Sequence, residues 1–420
     1  MSRLSEVSPA WTRVVVPGLC VLAFASRILG SLLSGHFLAY PQYYNIARTL
    51  VGGGGYCLAP GRYCAYYPPV YPTILAGCLL TGHFRQAVVI VSSVFAAGLV
   101  YLTWRIGARL FGCVTGMLAA AYCAIYPYYI WHDTVVQENV TLAFVAAVSL
   151  WCLLHATLSR RWAAAAGVAL GFCVLTKANM LLFALIAPAW VWVGTKNVER
   201  AVIVYLAMLL TLAPWVIRTE RLVGAPIIYS PAGLALFTAN NAATFRYFPG
   251  RSIDNVHAPA LAALSDEEKR DFAAQKDPNG ILRSNWLWQR GMLYIKQHPW
   301  LSLIGGVRKI GIGFSPIFSP DKGLGQGAVY FASYFPILAG GLAGMWLTRG
   351  RWREFGYIYL LFASFAMGTA VFWAHTSHRV YLDPYLMIFA AYAMRYIWSL
   401  TYGRNRLPAA RHYRRWRSQG

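Results

Sequence analysis

The chain has 420 residues, of which 58% are hydrophobic and 12% are charged, whereas a soluble globular domain carries about 25% charged residues. This composition excludes an ordinary soluble globule. The formal net charge is +23, but most Arg and Lys residues occur in short clusters between apolar runs, which is typical of membrane orientation signals and not of nucleic-acid binding. We therefore expect an integral membrane protein that binds no nucleic acid.

Ten apolar runs approach the length of about 20 residues that a helix needs to cross a bilayer. They lie near 12–33, 85–110, 112–130, 139–157, 162–176, 179–195, 201–217, 327–348, 355–374 and 380–400. A further run at 299–318 contains Arg308 and Lys309 and is flanked by prolines, which favours a re-entrant or interfacial helix. The sequence predicts an all-α polytopic membrane protein with ten transmembrane helices, or eleven if 299–318 crosses.

Basic clusters follow every second predicted helix, and this pattern predicts that both termini are cytoplasmic. Two large loops then lie outside the cytoplasm, and we expect short helices at 43–50 and 71–81 in the first of them. The predicted parts, in chain order, are an N-terminal membrane module (1–217) with the first outer loop (34–84), a cap loop (218–298), C-terminal helices (299–403) and a basic cytoplasmic tail (404–420).

The eight cysteines fall into two groups. Six lie in or beside apolar segments, where a thiol behaves as a small buried hydrophobe. Cys57 and Cys64 fall in the polar first loop, and if that loop is extracytoplasmic a disulfide could close it. The sequence has no Cys and His spacing that indicates a metal site, so we expect none.

Seven ionisable residues fall near the outer ends of the predicted helices, where a charged group is costly and is a functional candidate by default. They are Arg27, Asp133, Glu138, Lys177, Arg218, Arg379 and Asp383. One interpretation is a single polar cavity in which the four cations hold a phosphate. The alternative is that each side chain only extends to the membrane interface.

Asp133 and Glu138 lie close together in the sequence, between two predicted helices and beside His132. Two carboxylates near an imidazole suit acid and base chemistry, because neighbouring groups can separate their pKa values. The alternative is a helix start, where acidic residues complement the helix dipole. Both interpretations stay open at this point.

Several motifs occur along most of the chain in a characteristic order. They are "YYNIARTLVGGGGY", "YYPPVYPTILAG", "VVQENVTLAF", "GVALGFCVLTKANMLL", "LAPWVIRTERLVGAPIIYSPAGLALFTANNAATF", "YIKQHPWLSLIGGVRKI" and "SHRVYLDPYLMIFAA". In this order and spacing they resemble the family 39 glycosyltransferases, the dolichyl- or polyprenyl-phosphate-mannose type of the C-type glycosyltransferase superfamily.

The resemblance implies a C-type glycosyltransferase-like helical bundle that transfers a hexose from a polyprenyl-phosphate donor to an extracytoplasmic acceptor, with inversion at the anomeric carbon. The acceptor could be a glycan, a lipid or a protein. No cofactor is firmly implied, and a divalent cation stays open. A bacterial inner or plasma membrane is the expected location.

The resemblance assigns some site residues by their positions in the motifs, and membrane depth and side-chain chemistry give the others. Glu138 matches the family's Glu at the start of the fourth helix, so it is a catalytic candidate together with Asp133. The predicted donor-phosphate ligands are Arg27, Lys177, Arg218 and Arg379. The predicted sugar or acceptor ligands are Gln42, Tyr43, Tyr44, Tyr67, Asn240, Asn241 and Tyr381. For any of these residues a structural role is the alternative, since an Asn pair often caps a turn.

The first loop departs from the family pattern. Ala39 stands where family members usually carry an Asp that looks like the catalytic base, and Tyr67 replaces a basic residue before the Pro pair. Three explanations are open. The base could come from Asp133, Glu138 or His36, the acceptor could need little activation, or transfer activity could be lost.

Two other functions compete with sugar transfer. A transporter or flippase for a lipid-linked saccharide would also need a cavity at membrane depth, although the sequence lacks the internal repeat that many transporters show. A catalytically silent scaffold would bind the glycan lipid and form no product.

Overall fold

The computed structural model describes residues 9–35, 37, 40–133, 135–318, 323–372 and 375–401. Within these residues every regular element is helical and no β-strand is present. The α-helices α1 to α19 are, in chain order, Pro9–Ser34, Pro41–Val51, Val70–Leu80, Phe84–Phe111, Cys113–Ile125, Pro127–His132, Asn139–Ala156, Arg160–Thr176, Leu181–Thr195, Val198–Val223, Ala232–Ala239, Thr244–Tyr247, His257–Ala262, Asp266–Ala274, Ile281–Gln297, Pro299–Gly313, Leu324–Leu347, Gly356–Val371 and Asp383–Thr401. The 3₁₀ helices are Ala178–Met180, Ile253–Val256, Arg349–Phe355 and Thr376–Leu382.

All ten predicted membrane runs fall on helices. Seven helical segments in the described chain are long and apolar enough to cross a membrane, and they correspond to α1, α4, α7, α9, α10, α17 and α18. The other three predicted runs correspond to α5, continued by α6, to α8 and to α19. The predicted all-α, polytopic membrane fold is confirmed, and the chain is an integral membrane protein. The predicted orientation of the termini stays a prediction.

Helix α16 covers the run for which we expect no full crossing. Its 15 residues extend about 22 Å at 1.5 Å per residue, which is shorter than the hydrocarbon thickness of about 30 Å. Trp300, Ile304 and Val307 are exposed, while Gly306 and Lys309 on the opposite face are buried. A helix that exposes its apolar face suits contact with lipid, so its interfacial or re-entrant placement remains our expectation.

Glycines allow close approach between the long helices. Gly167 of α8 faces the carbonyl of Val204 in α10, and Gly344 of α17 faces the carbonyl of Phe389 in α19, so closely that no Cβ would fit at either glycine. Without a hydrophobic driving force between helices in lipid, such close packing is a main source of helix association. The two pairs α8–α10 and α17–α19 are accordingly among the most extensively packed in the bundle.

Replacing Gly344 by Ala is therefore expected to destabilise the protein by about 1–3 kcal/mol, because the added methyl overpacks the α17–α19 contact. The matched control is Gly327→Ala in the same helix, where a Cβ would meet nothing within 4 Å. The thermal unfolding midpoint in detergent measures both variants. A Gly344→Ala midpoint equal to that of the control would contradict the close contact.

The first outer loop and the cap loop join on one side of the bundle. Helices α2 and α3 confirm the expected short helices of the first loop and pack on each other. The cap contains α11 to α15 around a small core that includes Phe237, Phe248 and Trp286. The amide of Tyr63 donates to the carbonyl of Pro278 over 3.0 Å, and the amide of Cys64 donates to Oδ1 of Asn279 over 2.9 Å. The first loop is thereby fixed against the cap.

Candidate active site

A carboxylate and an ammonium group meet beside the first outer loop. Glu138 is the N-cap residue of α7 and Lys177 is the C-cap residue of α8. Lys177 Nζ lies 2.6 Å from Glu138 Oε1, and the two side chains are 19% and 7% exposed. The hydroxyl of Tyr43, from α2, hydrogen-bonds to Glu138. Three segments that are distant in sequence thus converge on one carboxylate.

The helical hairpin formed by α7 and α8 explains why Glu138 and Lys177 meet. The two helices have 18 and 17 residues and are joined by residues 157–159 alone, so they run antiparallel. Ser159 starts α8 by accepting a hydrogen bond from the amide of Trp162. The residue before α7 and the residue after α8 must then lie at the same end of the hairpin. This geometry places the carboxylate and the ammonium where each also complements a helix dipole.

The electrostatics of Glu138 are set by opposing effects. Burial raises the pKa of Glu138, because a buried carboxylate loses hydration. The charge of Lys177 and the hydrogen bonds from Lys177 and Tyr43 lower it and prevail, so the pKa lies below its ordinary value. Glu138 is therefore ionised at neutral pH. A second anion that drew Lys177 away would remove two of the effects that lower the pKa of Glu138, and the carboxylate would become a stronger base.

A stack of tyrosines lies next to this pair. The ring of Tyr67 stacks on Tyr43 with centroids 4.3 Å apart and on Tyr229 from the cap at 5.9 Å. Tyr71 contacts Tyr43 edge to face. Planar rings of this kind suit contact with sugars. Tyr229 has no signal in the sequence analysis, because only the folded cap brings it onto the first loop.

Arg218 holds the first loop through its backbone. A disulfide joins Cys57 and Cys64, and Arg218 Nη1 donates to the carbonyl of Cys64 over 2.7 Å. Arg218 Nη2 donates to the carbonyl of Tyr56 over 2.9 Å, and the guanidinium also lies over the rings of Tyr56 and Trp215. Both terminal nitrogens of this predicted phosphate ligand therefore bind main-chain carbonyls.

Arg27 is buried beside Asp133. Arg27 Nε lies 3.0 Å from Asp133 Oδ2, and the side chains are 1% and 2% exposed. The same guanidinium donates to the carbonyls of Cys123 and Ala124. Burial raises the pKa of Asp133 to about 6, although the charge of Arg27 opposes the rise. Arg27, a predicted phosphate ligand, therefore has little accessible surface with which to bind a phosphate.

Arg379 is buried in a second ion pair. Its Nε lies 3.2 Å from Asp383 Oδ1, and both side chains are fully buried. Nη1 donates to the carbonyl of Gly313 over 3.2 Å, and the guanidinium lies 3.5 Å from the ring centroid of Tyr334. Tyr129 interacts electrostatically with both Asp383 and Asp133, so this pair and the Arg27 pair are neighbours in the bundle.

The two predicted Asn ligands form hydrogen bonds to main-chain groups of the protein itself. The amide nitrogen of Asn240 donates to the carbonyls of Leu236 and Val371, and its oxygen accepts from the fully buried Lys309 over 3.3 Å. Asn241 donates to carbonyls of α11 and its side-chain oxygen accepts from the amide of Ala243. Asn241 therefore closes a local turn, whereas Asn240 links α11 to Lys309 of α16 and to the carbonyl of Val371 in α18. Lys309 was not recognised as a candidate from the sequence.

The remaining predicted ligands lie in different surroundings. Tyr381 is buried in the bundle core. Gln42 and Tyr44 are half-buried on α2, and the ring of Tyr44 packs edge to face on Phe84. Ala39 and His36 lie outside the described residues. Among the residues that the structure describes, no group of His, Cys, Asp and Glu could hold a metal ion.

The structure therefore divides the four predicted phosphate-binding cations into two groups. Arg27 and Arg379 are sealed in neighbouring ion pairs inside the bundle. Lys177, at the end of α8, is 19% exposed and paired with Glu138, whereas Arg218, in α10, has both terminal nitrogens bound to main-chain carbonyls of the first loop. A single chamber lined by all four, as the sequence suggested, does not match these partners.

Comparison with known proteins bears on this arrangement. Residues 67–217 match the family of dolichyl-phosphate-mannose-protein mannosyltransferases, a stretch that includes Tyr67, Asp133, Glu138 and Lys177 but less than half of the chain. No curated protein matches the sequence significantly. The predicted resemblance to the family 39 and C-type glycosyltransferases is confirmed by this match and by the fold.

Solved structures show the shared fold. The oligosaccharyltransferase AglB from Archaeoglobus fulgidus, in complex with an inhibitory peptide and a dolichol-phosphate, is 16% identical with a TM-score of 0.55. An Archaeoglobus fulgidus oligosaccharyltransferase in the apo form is 16% identical with a TM-score of 0.56, and each comparison covers 96% of this chain and 53% of that chain. The chain thus spans about half the length of these proteins. ArnT from Cupriavidus metallidurans bound to undecaprenyl phosphate is 15% identical over 94% of this chain and 80% of that chain, with a TM-score of 0.41.

Proposed function

We propose that this chain is a membrane hexosyltransferase. It transfers a sugar from a polyprenyl-phosphate donor to an extracytoplasmic glycan, lipid or protein acceptor, with inversion, and both its termini are cytoplasmic. The single observation that carries the proposal is the convergence of Tyr43, Glu138 and Lys177 on one partly accessible site. The C-type glycosyltransferase fold and the family match over 67–217 support it.

The reaction follows from the chemistry of the pair. The acceptor hydroxyl oxygen attacks the anomeric carbon on the face opposite the phosphate. Glu138 takes the hydroxyl proton, and the bond from the anomeric carbon to the phosphate oxygen breaks. The released polyprenyl phosphate keeps the electron pair, and Lys177 stabilises its charge. When the donor phosphate binds Lys177, it also weakens the effect that holds the pKa of Glu138 low, so donor binding prepares the base.

Glu138 suits the role of base better than Asp133. The Asp133 carboxylate is 2% exposed and is covered by a partner that is 1% exposed. The partner of Glu138 is 19% exposed and lies next to the tyrosine stack. We therefore assign the proton transfer to Glu138, the donor phosphate to Lys177, and structural roles to Arg27, Asp133, Arg379 and Asp383.

Purified protein in lipid nanodiscs tests the function with a radiolabelled polyprenyl-phosphate hexose and a panel of acceptors. We expect free polyprenyl phosphate and a new glycosidic bond to appear together. Movement of labelled lipid across proteoliposomes without a new bond would instead indicate a flippase. Saturable donor binding with no product from any acceptor would indicate a silent scaffold.

Replacing Lys177 by Gln is expected to raise the KM for the donor by about 10- to 100-fold, because a charge-assisted hydrogen bond to the phosphate contributes about 1.5–3 kcal/mol. Initial rates at varied donor concentration measure the effect. The matched control is Lys296→Gln, which changes an exposed lysine in the last turn of α15. An unchanged kcat together with an unchanged donor KM in Lys177→Gln would remove this residue from the phosphate site.

A further inference from the structure

Arg218 connects a membrane helix to the first loop. The residue lies near the outer end of α10, and its two terminal nitrogens bind the carbonyls of Tyr56 and Cys64. Tyr56 directly precedes Cys57, and Cys57 and Cys64 form the disulfide. The planar fork of a guanidinium can hold two carbonyls at once, whereas an ammonium group offers a single point of charge. The disulfide and the guanidinium together close this loop against α10.

The loop is in turn connected to the tyrosine stack. The hydroxyl of Tyr56 contacts the carbonyl of Tyr67 over 3.0 Å and that of Pro68 over 2.9 Å. The ring of Tyr56 packs edge to face on Trp215 of α10, with centroids 5.0 Å apart. The backbone position of Tyr67 therefore depends on Tyr56, and the position of Tyr56 depends on Arg218.

The tyrosine stack completes the connection to the proposed base. Tyr67 stacks on Tyr43 at 4.3 Å, and Tyr43 hydrogen-bonds to Glu138, which is paired with Lys177. A continuous series of contacts therefore runs from α10 through the disulfide loop to the carboxylate. We propose that Arg218 is a positioning residue, not a phosphate ligand, and that it acts through Tyr56 and Tyr67 to hold Tyr43 against Glu138. The proposal rests on the proposed function, since it assigns Arg218 a part in the same reaction.

Kinetics of three variants test the proposal. Arg218→Gln is expected to lower kcat by about 10- to 100-fold, because a small displacement of reacting groups can reduce the rate by that factor. Its donor KM should change less than about twofold, since no phosphate contact is lost. Arg218→Lys should recover only part of the rate, because an ammonium group lacks the rigid planar fork that reaches both carbonyls. The matched control Arg221→Gln, an exposed residue of the same helix, should behave as wild type.

A double-variant cycle identifies the route. Tyr56→Phe removes the contacts to the carbonyls of Tyr67 and Pro68 and should also lower kcat. If both residues act in one series, the double variant Arg218→Gln/Tyr56→Phe should be little worse than the more impaired single variant. If the two single-variant losses of kcat multiply in the double variant, the residues act independently, and the proposal is overturned. A donor KM that rises in Arg218→Gln while kcat is kept would also overturn it and would make Arg218 a phosphate ligand.

Hydrogen–deuterium exchange separates this proposal from the proposed function. Amide exchange in residues 56–68 is expected to rise at least several-fold in Arg218→Gln and in Tyr56→Phe, and to stay at the wild-type level in Arg221→Gln. Unchanged exchange in Arg218→Gln would overturn the positioning role even if sugar transfer is measured. A wild-type protein that transfers no sugar would overturn the proposed function, while the exchange data would still decide whether Arg218 holds the loop.

Discussion

Glu138→Gln is expected to lower the rate of sugar transfer by about 100- to 10,000-fold, the range typical of losing a general base. The amide keeps the shape of the side chain and can still accept a hydrogen bond, so the fold around Tyr43 should persist. It cannot take the proton of the acceptor hydroxyl. Product formation at saturating donor measures the loss, and the thermal midpoint in detergent checks the fold.

The pH profile adds a second measurement to this variant. A carboxylate with a lowered pKa works as a base only above that pKa, so the wild-type kcat/KM for the donor, which reports the free enzyme, should fall when the pH drops through it. The acid limb should be missing from the residual activity of Glu138→Gln. The matched control Glu267→Gln changes an exposed residue of the cap and should keep both rate and profile. Near wild-type transfer by Glu138→Gln would show that the proton goes elsewhere.

Arg379→Met is expected to destabilise the protein by about 3–5 kcal/mol, because it leaves the carboxylate of Asp383 buried without a partner. The variant also loses the contact of the guanidinium with the ring of Tyr334. Unfolding in mixed micelles with increasing SDS measures the free energy, and size-exclusion chromatography reports the folded fraction. A residue that only bound donor phosphate would show no such loss.

A second substitution separates pairing from packing at this position. In Arg379→Met/Asp383→Leu both charges are replaced by apolar side chains, and replacing a buried ion pair in this way is often neutral or stabilising. We therefore expect the double variant to recover much of the stability lost by the single variant. The structural role would be refuted by an Arg379→Met protein that is fully stable but no longer binds the donor.

The sequence predicted the helices because their signal is local. Each apolar run near membrane-spanning length reports a helix without knowledge of its neighbours, and the run with Arg308 and Lys309 was distinguished by its own charges. The lengths of the two helices in the sequence also allow the pairing of Glu138 with Lys177 to be predicted. The two residues flank helices of nearly equal length joined by a short turn, and a hairpin of that shape brings its open ends together.

The partners of the other candidates depend on tertiary packing, which no local pattern encodes. Arg27 and Asp133 are 106 residues apart in sequence, and a cation at the outer end of a helix looks the same whether it faces a phosphate or a buried carboxylate. The sequence predicts Arg218 as a phosphate ligand from its motif position and its depth, and the two carbonyls that occupy it belong to a distant loop. Tyr229 was missed for the same reason, since its contact with Tyr67 exists only in the folded cap.

Two backbone hydrogen bonds contribute to the junction between the cap and the first loop. The amide of Tyr63 donates a hydrogen bond to the carbonyl of Pro278, and the amide of Ser230 donates one to the carbonyl of Ala65. Because these bonds use backbone groups, side-chain changes on the outer surface of the cap do not remove them. The outer surface of the cap can therefore vary between related proteins, and so fit different acceptors, without a change in Glu138 or Lys177.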